Sequence, residues 1–209
     1  MALALTGFSV VAGALLGWVN DVTAEPIAQA NAKTLSDAIA VVVPGFDNNP
    51  AEAPETVEVN GATYKIYKAT KGGQPIGAAV ESASNGFGGT LTVLVGFDNE
   101  GNIIDYSLLS HSETPGLGSK AADWFKKGAK GDITGKNPGK APLTVSKDGG
   151  DVDAITASTI TSRAFLLAVN NAYAAYMNQH VDGASGASQQ KKGAGEYEKA
   201  DTTNVEPVK

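Results

Sequence analysis

The N-terminal segment constrains the chain most strongly, because it lacks charge over a length that could cross a lipid bilayer. Residues 2–19 read ALALTGFSVVAGALLGWV. A transmembrane helix needs roughly 20 apolar residues, and Trp18 stands where an interfacial aromatic side chain would anchor its end. A secretory signal peptide is the alternative, with Val22-Thr23-Ala24 as a weak cleavage site, but its usual basic start is missing because the first basic residue is Lys33. We therefore predict a single membrane anchor over residues 1–20.

Composition excludes several classes of function. With 209 residues, the chain has room for one substantial core besides an anchor and a tail. A formal charge of −6 argues against nucleic-acid binding, since no basic stripe is available to neutralise phosphates. The absence of cysteine excludes disulfides, iron–sulfur clusters and thiolate zinc sites, and two histidines are too few for a His-rich metal site. Redox chemistry in this chain would therefore depend on an organic cofactor.

The rest of the chain shows both helical and strand patterns. Residues 21–54 are predicted to form a juxtamembrane helix and linker, with Thr23 as N-cap, Pro26 in the first turn and Pro44-Gly45 at the end. The alternation that follows predicts a hairpin about Asn60-Gly61. Further strands are expected at residues 76–80, 91–98 and 103–110, a strand-like segment at 143–145, and helices at 119–127 and from 165 onward. The expected fold class is α+β, an antiparallel sheet with helices.

The stretch over residues 153–162 leads into the last predicted helix and is rich in hydroxyl groups. It reads DAITASTITS. Such residues favour a helix N-terminus, because their oxygens accept hydrogen bonds from backbone N–H groups that lack intrahelical partners. The same end carries partial positive charge and suits a phosphate. That phosphate could be bound reversibly or as an ester of one of the hydroxyls.

This stretch resembles the flavinylation motif D-x-x-[S/T]-G-A-T-x-[T/S]-S of the FMN-binding domain family, with Ala157-Ser158 in place of the usual Gly-Ala. The resemblance implies an FMN joined through a phosphoester to Thr159. The other cofactor-binding residues of the motif would be Thr156, Ala157, Ser158 and Thr161. Asp153 would be recognised by a flavin transferase that uses FAD as donor, although the residues alone also allow it to cap the next turn.

A second signature of the same family, E-T-P-G-L-G, matches residues 113–118. On the residues alone this loop is a tight Pro-Gly turn before a helix. The resemblance implies that it packs beside the flavin ring, with Glu113, Thr114, Leu117 and Gly118 as contacts. Lys147 is expected near the phosphate or the ring edge, with an exposed loop lysine as the alternative. The glycine-rich residues 85–89 match a G-[YF]-x-G stretch of the family, although an ordinary loop is the simpler interpretation.

The resemblance also implies a location and a domain organisation. The family includes the G subunit of the Rnf electron-transport complex and the C subunit of the sodium-pumping NADH:quinone reductase, and the match to the first is closer. Residues 55–180 would form the FMN-binding domain. This domain would lie on the outer, periplasmic face of the cytoplasmic membrane, an orientation that charge alone does not indicate here. Residues 181–209 have few large apolar groups, which predicts a disordered tail.

By the same resemblance, the chain would pass electrons between an iron–sulfur centre and another flavin. The complex as a whole would couple ferredoxin oxidation and NAD reduction to ion movement. Its partners would be the other membrane and peripheral subunits of the Rnf complex, together with the flavin transferase. The sequence has no G-x-G-x-x-G motif, so it predicts no NAD site and no complete active site in this chain. A stand-alone membrane-anchored flavoprotein reductase and a non-redox anchored binding protein stay open as alternatives.

Overall fold

The computed structural model describes residues 2–59 and 61–177, which fall into two compact units that divide between Ala38 and Ile39. The first helix, α1, runs without a break from Ala2 to Val42. Its portion Thr6–Val42 is long and apolar enough, by length and composition, to cross a membrane. The side chains of Phe8, Leu16 and Trp18 are exposed along it. The structure thus contains the apolar helix that the uncharged segment predicts.

Residues 23–42 are helical and the helix ends before Pro44-Gly45, as expected, but they continue α1 and no separate helix begins at Thr23. Thr23 lies inside α1, where its hydroxyl donates to the carbonyl of Val19 at 2.8 Å instead of capping a new N-terminus. Pro26 also lies within the helix and not in a first turn. Back-bonding to the carbonyl four residues earlier is the usual arrangement of a threonine inside a helix. A threonine followed by a proline was therefore an insufficient signal for a helix start.

Five antiparallel strands form one meander sheet in the order β1-β2-β3-β4-β5. Their bounds are Glu55–Val59 (β1), Ala62–Lys71 (β2), Gln74–Asn85 (β3), Thr90–Phe97 (β4) and Ile103–Ser110 (β5). The expected hairpin β1-β2 and the two later strands are confirmed, although Asn60 lies outside the described residues. β3 is longer than the predicted 76–80, because its second half, ESASN, pairs fully with β4 despite its polar sequence. The α+β class is confirmed.

The segment after the sheet is mostly irregular. The helix predicted at 119–127 is reduced to a 3-10 turn, Gly118–Lys120, followed by α2, Ala121–Trp124. It ends there because the carbonyls of Trp124 and Phe125 accept hydrogen bonds from Gly131 and Ile133, which turns the chain away from the helix axis. The strand-like segment 143–145 makes only an isolated bridge between Val145 and Val152.

The last helix, α3 (Thr159–Tyr176), packs across the sheet and organises the core. Phe165 stacks on Phe125 with ring centroids 4.3 Å apart and meets the edge of Tyr106 at 4.7 Å. Full burial of one such aromatic side chain contributes about 1.5–3 kcal/mol. The tail predicted over 181–209, and the predicted domain end at His180, lie outside the described residues. The start of α3 lies beside the end of β5, because Thr161 in its first turn bonds to Glu113, three residues after that strand.

Candidate functional site

A tight turn sets the start of α3. The N–H of Ser158 donates to the carbonyl of Ile155 at 3.0 Å, and Ala157 has φ +62°. This third position of a type II turn requires positive φ and usually holds glycine. Ser162, which is completely buried, braces the turn: its hydroxyl accepts from the N–H of Ile155 at 2.9 Å and donates to the carbonyl of Ser158 at 3.0 Å. Thr159 then becomes the first residue of the helix.

The N-terminus of α3 has no side-chain cap. Ser158 occupies the N-cap position, but its side chain makes no capping hydrogen bond and is buried. The first turn also contains no acidic residue. The expectation that these hydroxyls cap the helix is therefore wrong for Ser158. The partial positive charge of this end is left available to an anion.

Lys147 stands directly beside Thr159. Its Nζ lies 3.3 Å from the Thr159 Oγ1. The lysine is exposed, whereas Thr159 is half-buried. Lys147 belongs to a short 3-10 turn, Ser146–Asp148, that ends at Gly149 with φ +86°. A cation, a hydroxyl and a helix N-terminus thus converge on one point of the surface.

An ion pair that the sequence patterns did not reveal joins the Lys147 turn to α3. Both Asp148 oxygens accept from Arg163, one from Nε and one from an Nη, each at 2.6 Å. Arg163 is 8% exposed, and this bidentate contact holds the pKa of Asp148 below its usual range and raises the pKa of Arg163. Arg163 is the only charged residue of α3, and this was the available signal, because a buried guanidinium requires a partner.

Glu113 ties three segments together below the surface. Its side chain is buried, and one carboxylate oxygen accepts from the Thr161 hydroxyl at 2.7 Å while the other accepts from the Gly88 N–H at 3.1 Å. A Cβ at either Gly86 or Gly118 would collide with this carboxylate. The two family signatures and the glycine-rich loop at 85–89 are therefore in direct contact, and the glycines are needed for that approach.

The loop over residues 113–118 presents other groups to solvent. The carbonyl of Thr114 accepts from the N–H groups of Leu117 and Ser119, at 3.2 and 3.3 Å, which closes the turn. Leu117 is 40% exposed, and Phe87 in the neighbouring glycine-rich loop is 72% exposed. An exposed aliphatic and an exposed aromatic side chain therefore stand on the two loops that Glu113 connects.

Asp153 is exposed, and its carboxylate receives a long contact of 3.4 Å from the Ser146 hydroxyl. Its backbone is better fixed, because the indole N–H of Trp124 donates to its carbonyl at 2.8 Å. Thr156 is exposed at the tip of the turn. Trp124 is a second residue that sequence patterns missed, since nothing in the local pattern of α2 indicates this long-range bond.

The residues present fit a phosphate ester better than a metal ion. Within residues 2–59 and 61–177, no group of three or more His, Asp or Glu side chains is arranged to hold a metal. By contrast, Lys147 and the uncapped N-terminus of α3 are complementary to an anion beside Thr159. The donor set therefore matches the phosphate end of FMN.

Comparisons with known proteins show which family the chain resembles. The FMN-binding domain family matches residues 86–174, a range that includes both signatures and residues 86–89 of the glycine-rich loop. The chain is 35% identical to the G subunit of the ion-translocating oxidoreductase complex of Cereibacter sphaeroides, over 75% of this chain and 74% of that protein. It is 36% identical to the G subunit of the same type of complex from Yersinia pestis, over 81% of this chain and 86% of that protein.

A solved structure is also similar, namely the C subunit of the Na(+)-translocating NADH-quinone reductase from Parabacteroides distasonis. The identity is 22% and the TM-score 0.48, with 71% of this chain and 91% of that chain covered. The resemblance drawn from the two signatures, and its closer match to the Rnf-type protein, are confirmed by the sequence relatives. The chain carries an FMN-binding domain and belongs to the G-subunit family of ion-translocating oxidoreductase complexes.

Proposed function

We propose that this protein is a membrane-anchored electron-relay subunit that carries FMN covalently on Thr159. The observation that carries the proposal is the position of the Lys147 Nζ, 3.3 Å from the Thr159 Oγ1 at the uncapped start of α3. Such a site neutralises a phosphate diester from two directions, by a side-chain cation and by the helix end. The bound flavin supplies one- and two-electron chemistry, which this cysteine-free chain otherwise lacks.

Attachment would be a phosphoryl transfer to the protein. The Thr159 oxygen forms a bond to the phosphorus of the FMN half of FAD, the pyrophosphate P–O bond breaks, and AMP leaves with the bonding electrons. The hydroxyl proton passes to solvent, so no electrons are gained or lost. Asp153 is exposed on the approach to the turn and would serve the flavin transferase in recognition.

The surrounding residues would divide the work of binding. Lys147 balances the phosphate charge, while Thr156 and the buried Ser158 and Thr161 define the turn around the ester. Thr114, Leu117 and Gly118 would contact the flavin ring from their loop. Glu113 would contribute by holding that loop against α3, because its carboxylate is already engaged by Thr161 and Gly88.

The relay would operate between an iron–sulfur centre and another flavin within an ion-translocating ferredoxin:NAD+ oxidoreductase of the Rnf type. The relatives from Cereibacter and Yersinia are named as subunits of ion-translocating oxidoreductase complexes, which supports an assembly of this kind. A covalent tether suits repeated transfer, because the cofactor is not released between cycles. α1 would anchor the chain in the cytoplasmic membrane with the FMN-binding domain on the periplasmic side.

The test is the intact mass of the full-length protein made with a flavin transferase present, together with flavin fluorescence in a denaturing gel. We expect an FMN adduct that Thr159→Ala abolishes and that Thr56→Ala, a change at an exposed threonine on β1, retains. An adduct that survives Thr159→Ala would disprove the site, and its absence from the wild type would disprove the covalent cofactor. Detergent-solubilised native protein that ran alone and oxidised a donor directly would favour a stand-alone reductase over a relay.

A further inference from the structure

We propose that the Asp148–Arg163 ion pair is a positioning device that holds Lys147 against the phosphate-bearing side of Thr159. This inference rests on the proposed function, because it assigns the two residues a role toward the ester on Thr159. Neither residue touches the Thr159 hydroxyl in the described contacts, so both would act through Lys147.

Two neighbouring contacts join the Lys147 turn to α3. Lys147 and Asp148 are consecutive in the 3-10 turn, and Thr159 and Arg163 are one helical turn apart on α3. Residues four apart in a helix lie on the same face, so the contacts Lys147–Thr159 and Asp148–Arg163 join the same two elements side by side. Fixing the Asp148–Arg163 contact therefore restricts the position of Lys147 relative to Thr159.

The two contacts differ greatly in strength. The Lys147 contact is a single one at 3.3 Å from an exposed and flexible side chain. The Asp148–Arg163 contact consists of two charge-assisted bonds at 2.6 Å, with Arg163 almost completely buried. Bidentate guanidinium–carboxylate pairs add geometric specificity to their energy. The Asp148–Arg163 pair can therefore fix the position of the Lys147 turn, whereas the Lys147–Thr159 contact cannot.

The charge of Asp148 allows the positioning role to be distinguished by the direction in which Asp148→Asn changes phosphate binding. Asp148 places a carboxylate next to the lysine that would bind an anion, so a purely electrostatic view predicts that removing its charge improves phosphate binding. A positioning role predicts the opposite, because Asp148→Asn loses the bidentate pair and frees the turn that carries Lys147. The direction of the effect therefore distinguishes the two roles.

The experiment measures the initial rate of FMN attachment to full-length protein, with purified flavin transferase and FAD, by intact mass. We expect Asp148→Asn and Lys147→Met each to slow attachment at least fivefold, and the double variant to be no slower than the slower single one. Such non-additivity indicates that the two residues act as one unit. Arg163→Lys, which keeps the positive charge but cannot make the bidentate contact with Asp148, should slow attachment to a similar extent.

A second readout does not involve the transferase. After complete attachment, the phosphorus-31 resonance of the diester should shift in the same direction in Asp148→Asn as in Lys147→Met. The matched control is Asp105→Asn, which breaks the Lys126–Asp105 pair of 2.8 Å; Asp105 and Asp148 have equal side-chain exposure, 28%. This control should lower thermal stability to a comparable degree yet leave the attachment rate and the resonance unchanged.

The outcomes separate the inference from the proposed function. Wild-type protein without an adduct would overturn the proposed function and this inference with it. With an adduct on the wild type, an Asp148→Asn rate equal to or above that of the wild type would overturn the positioning role alone. So would effects of the two single changes that multiply in the double variant, because Asp148 would then act independently of Lys147.

Discussion

The two ends of α3 are held by different kinds of interaction. At the C-terminal end, the ring of Phe97 stacks on Tyr176 at 5.6 Å and meets the edge of Tyr173 at 5.9 Å, and Gly101 and Gly139 leave room for the Tyr173 ring. At the N-terminal end the contacts are polar: Glu113 with Thr161, Asp148 with Arg163, and Lys147 with Thr159. The comparison suggests that apolar packing sets the stability of the helix, while directional polar bonds set the geometry of its functional end.

The largest expected effect concerns the aromatic end. Tyr173→Ala removes a ring that is 7% exposed, and large-to-small changes of aromatic core residues cost about 3–5 kcal/mol. We expect the thermal unfolding midpoint of the full chain in detergent to fall sharply while FMN attachment, measured well below that midpoint, is retained. Tyr173→Phe keeps the ring and should change the midpoint little. Loss of attachment in folded Tyr173→Ala would contradict the division between the two ends.

A smaller effect is expected from acid at the polar end. The Asp148 pKa is lowered by its bonds to Arg163, so the pair stabilises the fold above the unfolded-state pKa of about 3.9 and is lost as pH falls through the lower folded-state value. The contribution is on the order of 1–2 kcal/mol, since Asp148 is partly in contact with solvent. Chemical unfolding between pH 3 and 7 should show a loss of stability below about pH 4.

In that series Asp148→Asn should be less stable than the wild type near pH 7. The difference should shrink as pH falls below about 4, because the carboxyl of Asp148 is protonated first in the unfolded state and then, at lower pH, in the folded state. A difference that stays constant across the range would show that the carboxylate charge of Asp148 contributes nothing.

The smallest effect concerns backbone strain beside the site. Ala157 has φ +62°, a left-handed conformation that disfavours side chains by about 1–2 kcal/mol. Replacement by glycine, the residue usual at this position of the motif, relieves the strain but adds flexibility to the unfolded chain, so we expect Ala157→Gly to stabilise by about 0.5–1 kcal/mol. The check is the unfolding midpoint in urea, with Ala141→Gly, an exposed alanine with negative φ, as a control that should destabilise.

Equal shifts in the same direction for Ala157→Gly and Ala141→Gly would contradict the assignment of strain to Ala157.

Local patterns predicted the elements whose residues are neighbours in the chain. The alternation before and after Gly61 predicted the first hairpin, and residues 103–110 were predicted as a strand with the bounds that the structure has. The patterns failed where contacts between distant residues determine the structure. The predicted helix at 119–127 stops after Trp124, because the N–H groups of Gly131 and Ile133 donate to carbonyls at its end. Thr23 looked like a helix start in the sequence, yet it lies within a continuous helix.

The residue types along the chain specify the chemistry of the site: a hydroxyl-rich helix start, a glycine-containing loop with one carboxylate, no cysteine, and an uncharged segment of bilayer length. Which of these groups meet depends on how the whole chain folds. The Thr161 hydroxyl and Glu113 are 48 positions apart, and no local periodicity encodes their 2.7 Å bond. Asp148 and Arg163 likewise pair because the packing of α3 on the sheet places the first turns of α3 beside the Lys147 turn. Close polar pairing depends on where the apolar core places the backbone, and that placement arises from the whole fold.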